Sequence, residues 1–167
     1  MSKAELMTSS ISDYVLDTLA NQGLGISRKV DLNQPHLPED ITAIDERELM
    51  NLYTQFSAYT DFINTQLSCA IIDEKETERL IDVMTASKTV QMSTGKASDK
   101  VTIIKAQISS DPDMIALENQ FLARYAYRKM METISNNCER STAVCSRELT
   151  RRTAGDNYRS RTSKFNV

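Results

Sequence analysis

The chain has 167 residues, of which 40% are apolar and only 6% aromatic, with no Trp, which suits one core-bearing domain plus a tail or arm and excludes a bulky aromatic core. Four Gly and three Pro are too few for a many-turned β fold and favour a small number of long elements. The net charge of −3 is unevenly divided: residues 1–123 hold 10 basic and 19 acidic side chains and residues 124–167 hold 10 and 4, giving −9 and +6, so the carboxyl-terminal quarter is a cationic end suited to a polyanion or to solvent.

In chain order, Ser10 or Ser12 opens a short helix through Tyr14, Val15, Leu16 and Leu19, closed by Gly23 and Gly25. An extended arm follows over 26–40, because Pro35 and Pro38 push Gln34 and Leu37 out of the helical region. Asp45 is then placed to cap a long helix. Glu48 is spaced to reach back to the Asp45 N–H, and Ile44 to clamp onto Leu49. Leu49, Leu52, Phe56, Tyr59, Ile63, Leu67 and Ala70 recur at three- and four-residue spacing, which predicts a helix from about Glu46 to about Met92, about 70 Å long. Within it Asp73-Glu74-Lys75-Glu76-Thr77-Glu78-Arg79 is almost wholly charged and reads as a solvated stretch supported by local pairs. Packing resumes at Leu80, Ile81 and Met84.

Ser93-Thr94-Gly95-Lys96 breaks this pattern, and Val101, Ile104 and Ile108 suggest a further short helix. Asp111-Pro112 then supplies a cap and a natural first helical residue. The second long helix reads as continuing to about Arg152, with Leu117, Phe121, Tyr125, Ile134, Cys138, Cys145 and Leu149 inward, and Ala154-Gly155 ending it. The expected architecture is all-α: a long antiparallel helical hairpin over 41–152, preceded by a short helix and extended arm over 1–40 and followed by a basic flexible tail over 153–167. Phe56 and Phe62 cannot share a face, nor can Ile71 and Ile72. The hairpin therefore needs self-association or the amino-terminal helix to cover its flanks.

Catalysis finds no foothold. The single histidine, His36, lies in the arm without clustered ligands, so no metal or other cofactor is expected. Ser93-Thr94-Gly95-Lys96 matches a Ser-x-x-Lys pattern without its companion motifs. Three cysteines, an odd number, fit a reducing compartment. Cys138 and Cys145, seven residues apart, sit about 10 Å apart along a helix, too far to bridge. The amino-terminal residues carry no apolar run behind Lys3, and nowhere do about twenty apolar residues follow one another, so no membrane partner is expected and the cytoplasm is the expected location.

The cationic end carries the interface candidates. Arg147, Arg151 and Arg152 close the second helix, where positive charge also complements the helix dipole. Tyr158, Arg159, Arg161, Lys164 and Phe165 interleave rings with cations, the mixture from which single-strand binding surfaces are made. Arg124, Arg128 and Lys129, with Tyr125 and Tyr127 among them, read as solvated charges flanking a core tyrosine. The spacing of Tyr53, Phe56, Tyr59 and Phe62 fits core packing better than a base-stacking platform.

The order of signals resembles the UvsY-like recombination mediators of bacteriophages. Carriers of the resemblance are Leu52-Tyr53-Thr54-Gln55-Phe56 in the first long helix, the charged middle, the linker, Ser109-Ser110-Asp111-Pro112-Asp113 opening the second helix, Tyr125 with Tyr127, and Ser146-Arg147-Glu148-Leu149-Thr150-Arg151-Arg152 at its basic close, spanning roughly 49–152. Membership would imply a helical hairpin that assembles into rings, binds single-stranded DNA and helps to load a recombinase, with many weak cationic contacts giving avidity around the ring. The chain departs from that pattern in its longer arm and its overall acidity. The expectation is thus a non-enzymatic, homo-oligomeric phage DNA-recombination accessory protein whose partners are single-stranded DNA, copies of itself, and a recombinase or other phage proteins in the infected cell. A phage structural or virion assembly protein, its hairpins mediating protein contacts, is the alternative, and a small inhibitor of a host enzyme a third.

Overall fold

The structure, a computed structural model, describes residues 11–25, 34–93 and 101–165, the last ten of these by backbone alone. Four helices follow in order: α1 (Ile11–Asn21), α2 (Glu46–Met92), α3 (Val101–Ser109) and α4 (Pro112–Phe165), with no strand among the described residues. The chain forms two compact units, one of Met1–Gly25 with Leu67–Met131, the other of Ile26–Gln66 with Glu132–Val167. Each contains a stretch of α2 running antiparallel to a stretch of α4, the all-α helical hairpin that the apolar periodicity predicts.

Capping residues set the helix boundaries. Asp45 Oδ1 accepts the Glu48 N–H at 2.7 Å, and Leu49 N–H closes the first turn on the Asp45 carbonyl at 2.9 Å. The reciprocal half of the capping box is not made, since the Glu48 side chain is exposed and has no partner among the described residues. Ile44 does pack against the cluster around Leu49. Asp111 Oδ1 accepts the Asp113 and Met114 N–H groups at 3.0 and 3.3 Å, with Pro112 the first residue of α4. At the end of α1, Gly23 adopts a left-handed φ of 74°. Leu24 N–H reaches the Leu19 carbonyl at 3.0 Å and Gly23 N–H the Ala20 carbonyl at 3.1 Å, a Schellman close open to glycine because it has no Cβ.

Both long helices turn one residue toward their partner every three or four positions. In the second unit α2 offers Leu49, Phe56 and Ile63, all nearly fully buried, and α4 offers Ser135, Cys138 and Cys145. Leu49, Phe56 and Cys145 form one cluster, joined by Ile41, Ile44, Leu52, Tyr53 and Leu149. Polar rungs cross the same seam: Ser135 Oγ donates to Asn64 Oδ1 at 2.6 Å, and the Thr60 and Thr142 hydroxyls meet at 3.4 Å. From the arm, buried Pro35 lies beside Phe56 and Cys138. The covered thiols of Cys138 and Cys145 have their pKa raised by burial.

The first unit continues the alternation with ions, which corrects two sequence expectations. Residues 73–79 are not a solvated stretch: Glu74 is 8% exposed and Thr77 fully buried. Arg124 and Arg128 are not solvated either, because they occupy the facing seam positions of α4. Arg124 Nη1 donates to the Asp73 carbonyl at 2.6 Å and to Thr77 Oγ1 at 2.8 Å, with Glu76 Oε2 at 3.4 Å. Arg128 pairs through Nε and Nη2 with the Glu74 carboxylate. Tyr125, expected in the core, is instead 42% exposed with the Arg128 guanidinium 5.3 Å from its ring centre. Desolvating a guanidinium is costly unless a carboxylate and carbonyls meet it, so opposite charges at facing positions bury together. Ser12 of α1 donates to Asp73 Oδ1 at 2.7 Å, and Lys88 near the end of α2 pairs with the Asp111 cap of α4. That lysine holds the Asp111 carboxyl below its ordinary pKa.

The helix does not stop at Ala154-Gly155. α4 runs to Phe165, and Gly155 has no positive φ with which to turn the chain.

Two substitutions test this arrangement. Arg128→Ala, which strands Glu74, is expected to cost about 3–5 kcal/mol in urea unfolding, whereas Glu74→Leu combined with Arg128→Leu comes out near neutral or stabilising. Gly155→Ala, with open space around the added methyl, should raise stability or helix content by circular dichroism, by about 0.5–1 kcal/mol. A loss would mean that the helix ends there.

Candidate nucleic-acid interface

Beyond Glu132, α4 presents its seam residues Ser135, Cys138, Thr142 and Cys145 to α2 and carries Asn136, Arg140, Val144, Arg147 and Arg151 on the opposite, exposed side. No Asp or Glu shares that outward face between Thr133 and Gly155, since Glu139 lies on a flank and Glu148 is buried. Arg140, Arg147 and Arg151 follow at spacings of seven and four residues, about 10 Å and 6 Å along the helix axis. Arg140 and Arg147 make no ion pair among the described residues. Sequence inspection passed over Arg140, although its seven-residue offset from Arg147 was the signal that the two share a face.

The other two candidate arginines have different surroundings. Arg151 Nε and Nη2 donate to the two oxygens of Glu148, each at 2.7 Å, and its side chain stays 65% exposed. Arg152 turns inward at 19% exposure. Its Nε donates to Glu148 Oε1 at 2.8 Å, and its Nη2 to the carbonyls of Ile41 and Thr42 at 3.2 and 3.3 Å. Arg152 is thereby a tie between α4 and the chain just before α2, with its polar edge spent on the protein. Tyr158, Arg159, Arg161, Lys164 and Phe165 lie on the helical backbone of α4, with their side chains outside the described residues. Seven-residue spacing from Arg151 falls on Tyr158 and then Phe165.

Glu148 is the electrostatic centre of this end. Hydrogen bonds from Arg151 and then Arg152 bring its pKa down from 4.5 to about 2, and the same pairing raises that of Arg151. A carboxyl whose folded pKa lies below its unfolded value stabilises the fold fully above the unfolded value and loses that contribution as protons return.

Elsewhere in this unit a groove beside the seam is lined by Tyr53, Ser57, Thr60, Asp61, Glu139 and Thr142. Among the described residues no group of three His, Cys, Asp or Glu side chains is placed to hold a metal ion, and no helix is long and apolar enough to cross a membrane. Comparison with protein-family models, with curated proteins and with solved structures gives no match to this chain.

The Glu148 pairing yields a pH prediction. Wild-type stability contains a component that is complete above pH 4.5 and disappears as the pH falls toward about 2. In Glu148→Gln that component is absent, so urea midpoints of the two proteins should converge across this window and stay apart above it.

Proposed function

We propose that the chain is an oligomeric phage DNA-recombination accessory protein that binds single-stranded DNA along the outward face of α4 and assists recombinase loading in the infected cell. The observation that carries the DNA-binding part is the row Arg140, Arg147 and Arg151 on an exposed face where the one bordering carboxylate, Glu148, is itself buried and held by Arg151 and Arg152. Such a row offers cationic contacts to phosphates, and Tyr158 and Phe165, which follow it in the sequence, are the candidate stacking residues. Each contact is weak, so display of several copies would supply the avidity. The phage and recombinase assignments come from the ordered sequence resemblance over roughly residues 49–152.

A second reading, a virion or assembly protein, is favoured by exposed apolar side chains in the first unit: Val83 and Val90 on α2, Leu122 and Met130 on α4, all more than half exposed. On that reading the hairpin faces meet other proteins, and the chain would be found by mass spectrometry in purified virions.

Fluorescence anisotropy with a labelled oligothymidylate tests the DNA reading. Binding should be tight at low salt and weaken in proportion to salt raised to a power. Arg147→Ala should reduce that power by about 0.7, the share of one phosphate contact on a single strand, and Arg140→Ala should do the same. Absence of binding at low salt, or indifference to salt, would remove the reading.

A further inference from the structure

We infer that Glu148 acts as an internal stand-in for phosphate, occupying Arg151 until a polyanion displaces it, so that the face has two ready cations and one held in reserve. The inference rests on the outward face of α4 being a polyanion interface, and it adds how that interface is restrained.

The fork geometry is the first argument. Arg151 meets Glu148 through two parallel bonds of 2.7 Å, one to each oxygen, the arrangement a guanidinium also offers to two oxygens of a phosphate. Carboxylate and phosphate therefore compete for the same edge of the same side chain. Arg147, one turn earlier on the same face, has no such competitor among the described residues.

Charge and exposure decide which arginine is released. One carboxylate serves two guanidiniums, leaving a single positive charge in surplus. Arg152 is enclosed and also holds the Ile41 and Thr42 carbonyls, so its departure would strand several polar groups. Arg151 is 65% exposed, and Glu148 is the only partner it has among the described residues. When Arg151 swings to a phosphate, Glu148 keeps Arg152 as a neutral pair and the tie to the chain before α2 is preserved. Only the Arg151 side of this pair is open to solvent, 65% exposed against 7% for Glu148, so salt and a competing anion reach the guanidinium, which makes it displaceable.

The test uses the full chain, a fluorescein-labelled oligothymidylate, and salt between about 50 and 200 mM, with circular dichroism to verify folding. Glu148→Gln should bind roughly fivefold to tenfold tighter than wild type at the lower salt and show a salt exponent steeper by about 0.7, the signature of one further phosphate contact. Adding Arg151→Ala to Glu148→Gln should abolish that gain. Arg151→Lys, an exposed change that keeps the charge but cannot grip a carboxylate with two parallel bonds, should also bind more tightly than wild type, and it decides the matter alone if Glu148→Gln does not fold. Binding by Glu148→Gln where wild type shows none would support the inference. If wild type binds with the expected salt dependence but neither variant binds tighter, the restraint is overturned while the DNA reading stands. A gain that persists without Arg151 also overturns it, because it would reflect only the loss of a negative charge. Failure of wild type and both variants to bind at low salt removes the inference and the reading together.

Discussion

Each long helix must turn one residue toward its partner about every three and a half positions, and this alternation decides the fate of the six arginines of α4 whose side chains are described. Arg124, Arg128 and Arg152 fall on seam positions and are drawn into carboxylates and carbonyls. Arg140, Arg147 and Arg151 fall on the far side and stay exposed. The residue type is the same in both sets. Register alone separates a structural guanidinium from one that faces outward.

The seam also shows how a helix pair can be held with little aromatic mass. Where α2 offers Leu49 and Phe56, burial of apolar area supplies the attraction. Where it offers Glu74 and Thr77, attraction comes from satisfied polarity: Thr77 Oγ1 donates to the Asp73 carbonyl at 2.9 Å while accepting from Arg124. Among the described residues no buried side-chain polar atom lacks a partner. Ionic positions of this kind add little net stability compared with an apolar seam, yet they penalise misalignment heavily, since a shifted register leaves a charge buried without its counterpart.

Much of this was legible in the sequence, for reasons that are local. The Leu49-Phe56-Ile63-Ala70 stripe, the Asp45 and Asp111-Pro112 caps and the Gly23 close each depend on residues within a few positions of one another. What escaped depends on partners far away. Glu74 looks solvated until Arg128 is placed opposite it, 54 positions on, and Arg152 looks like surface charge until the carbonyl of Ile41, 111 positions earlier, is beside it. Gly155 misled in another way: a glycine ends a helix only where the chain needs a left-handed residue, and α4 passes through it without one. For the interface, Arg147 and Arg151 were visible from spacing. Arg140 required knowing which side of α4 faces α2.

The spread of sequence separations along the hairpin carries a consequence for how the chain finds its fold. Lys88 and Asp111 lie 23 positions apart, Thr77 and Arg124 lie 47, Thr60 and Thr142 lie 82, and Ile41 and Arg152 lie 111. Closing the longest of these loops directly is the entropically dearest step, but every rung already formed shortens the loop left for the next. The cheapest order closes the shortest loop, Lys88 with Asp111, before the longer ones. The last contact made is then the one between Arg152 and the chain before α2, and closing the longest loop makes it the natural place for its own unit to fray first.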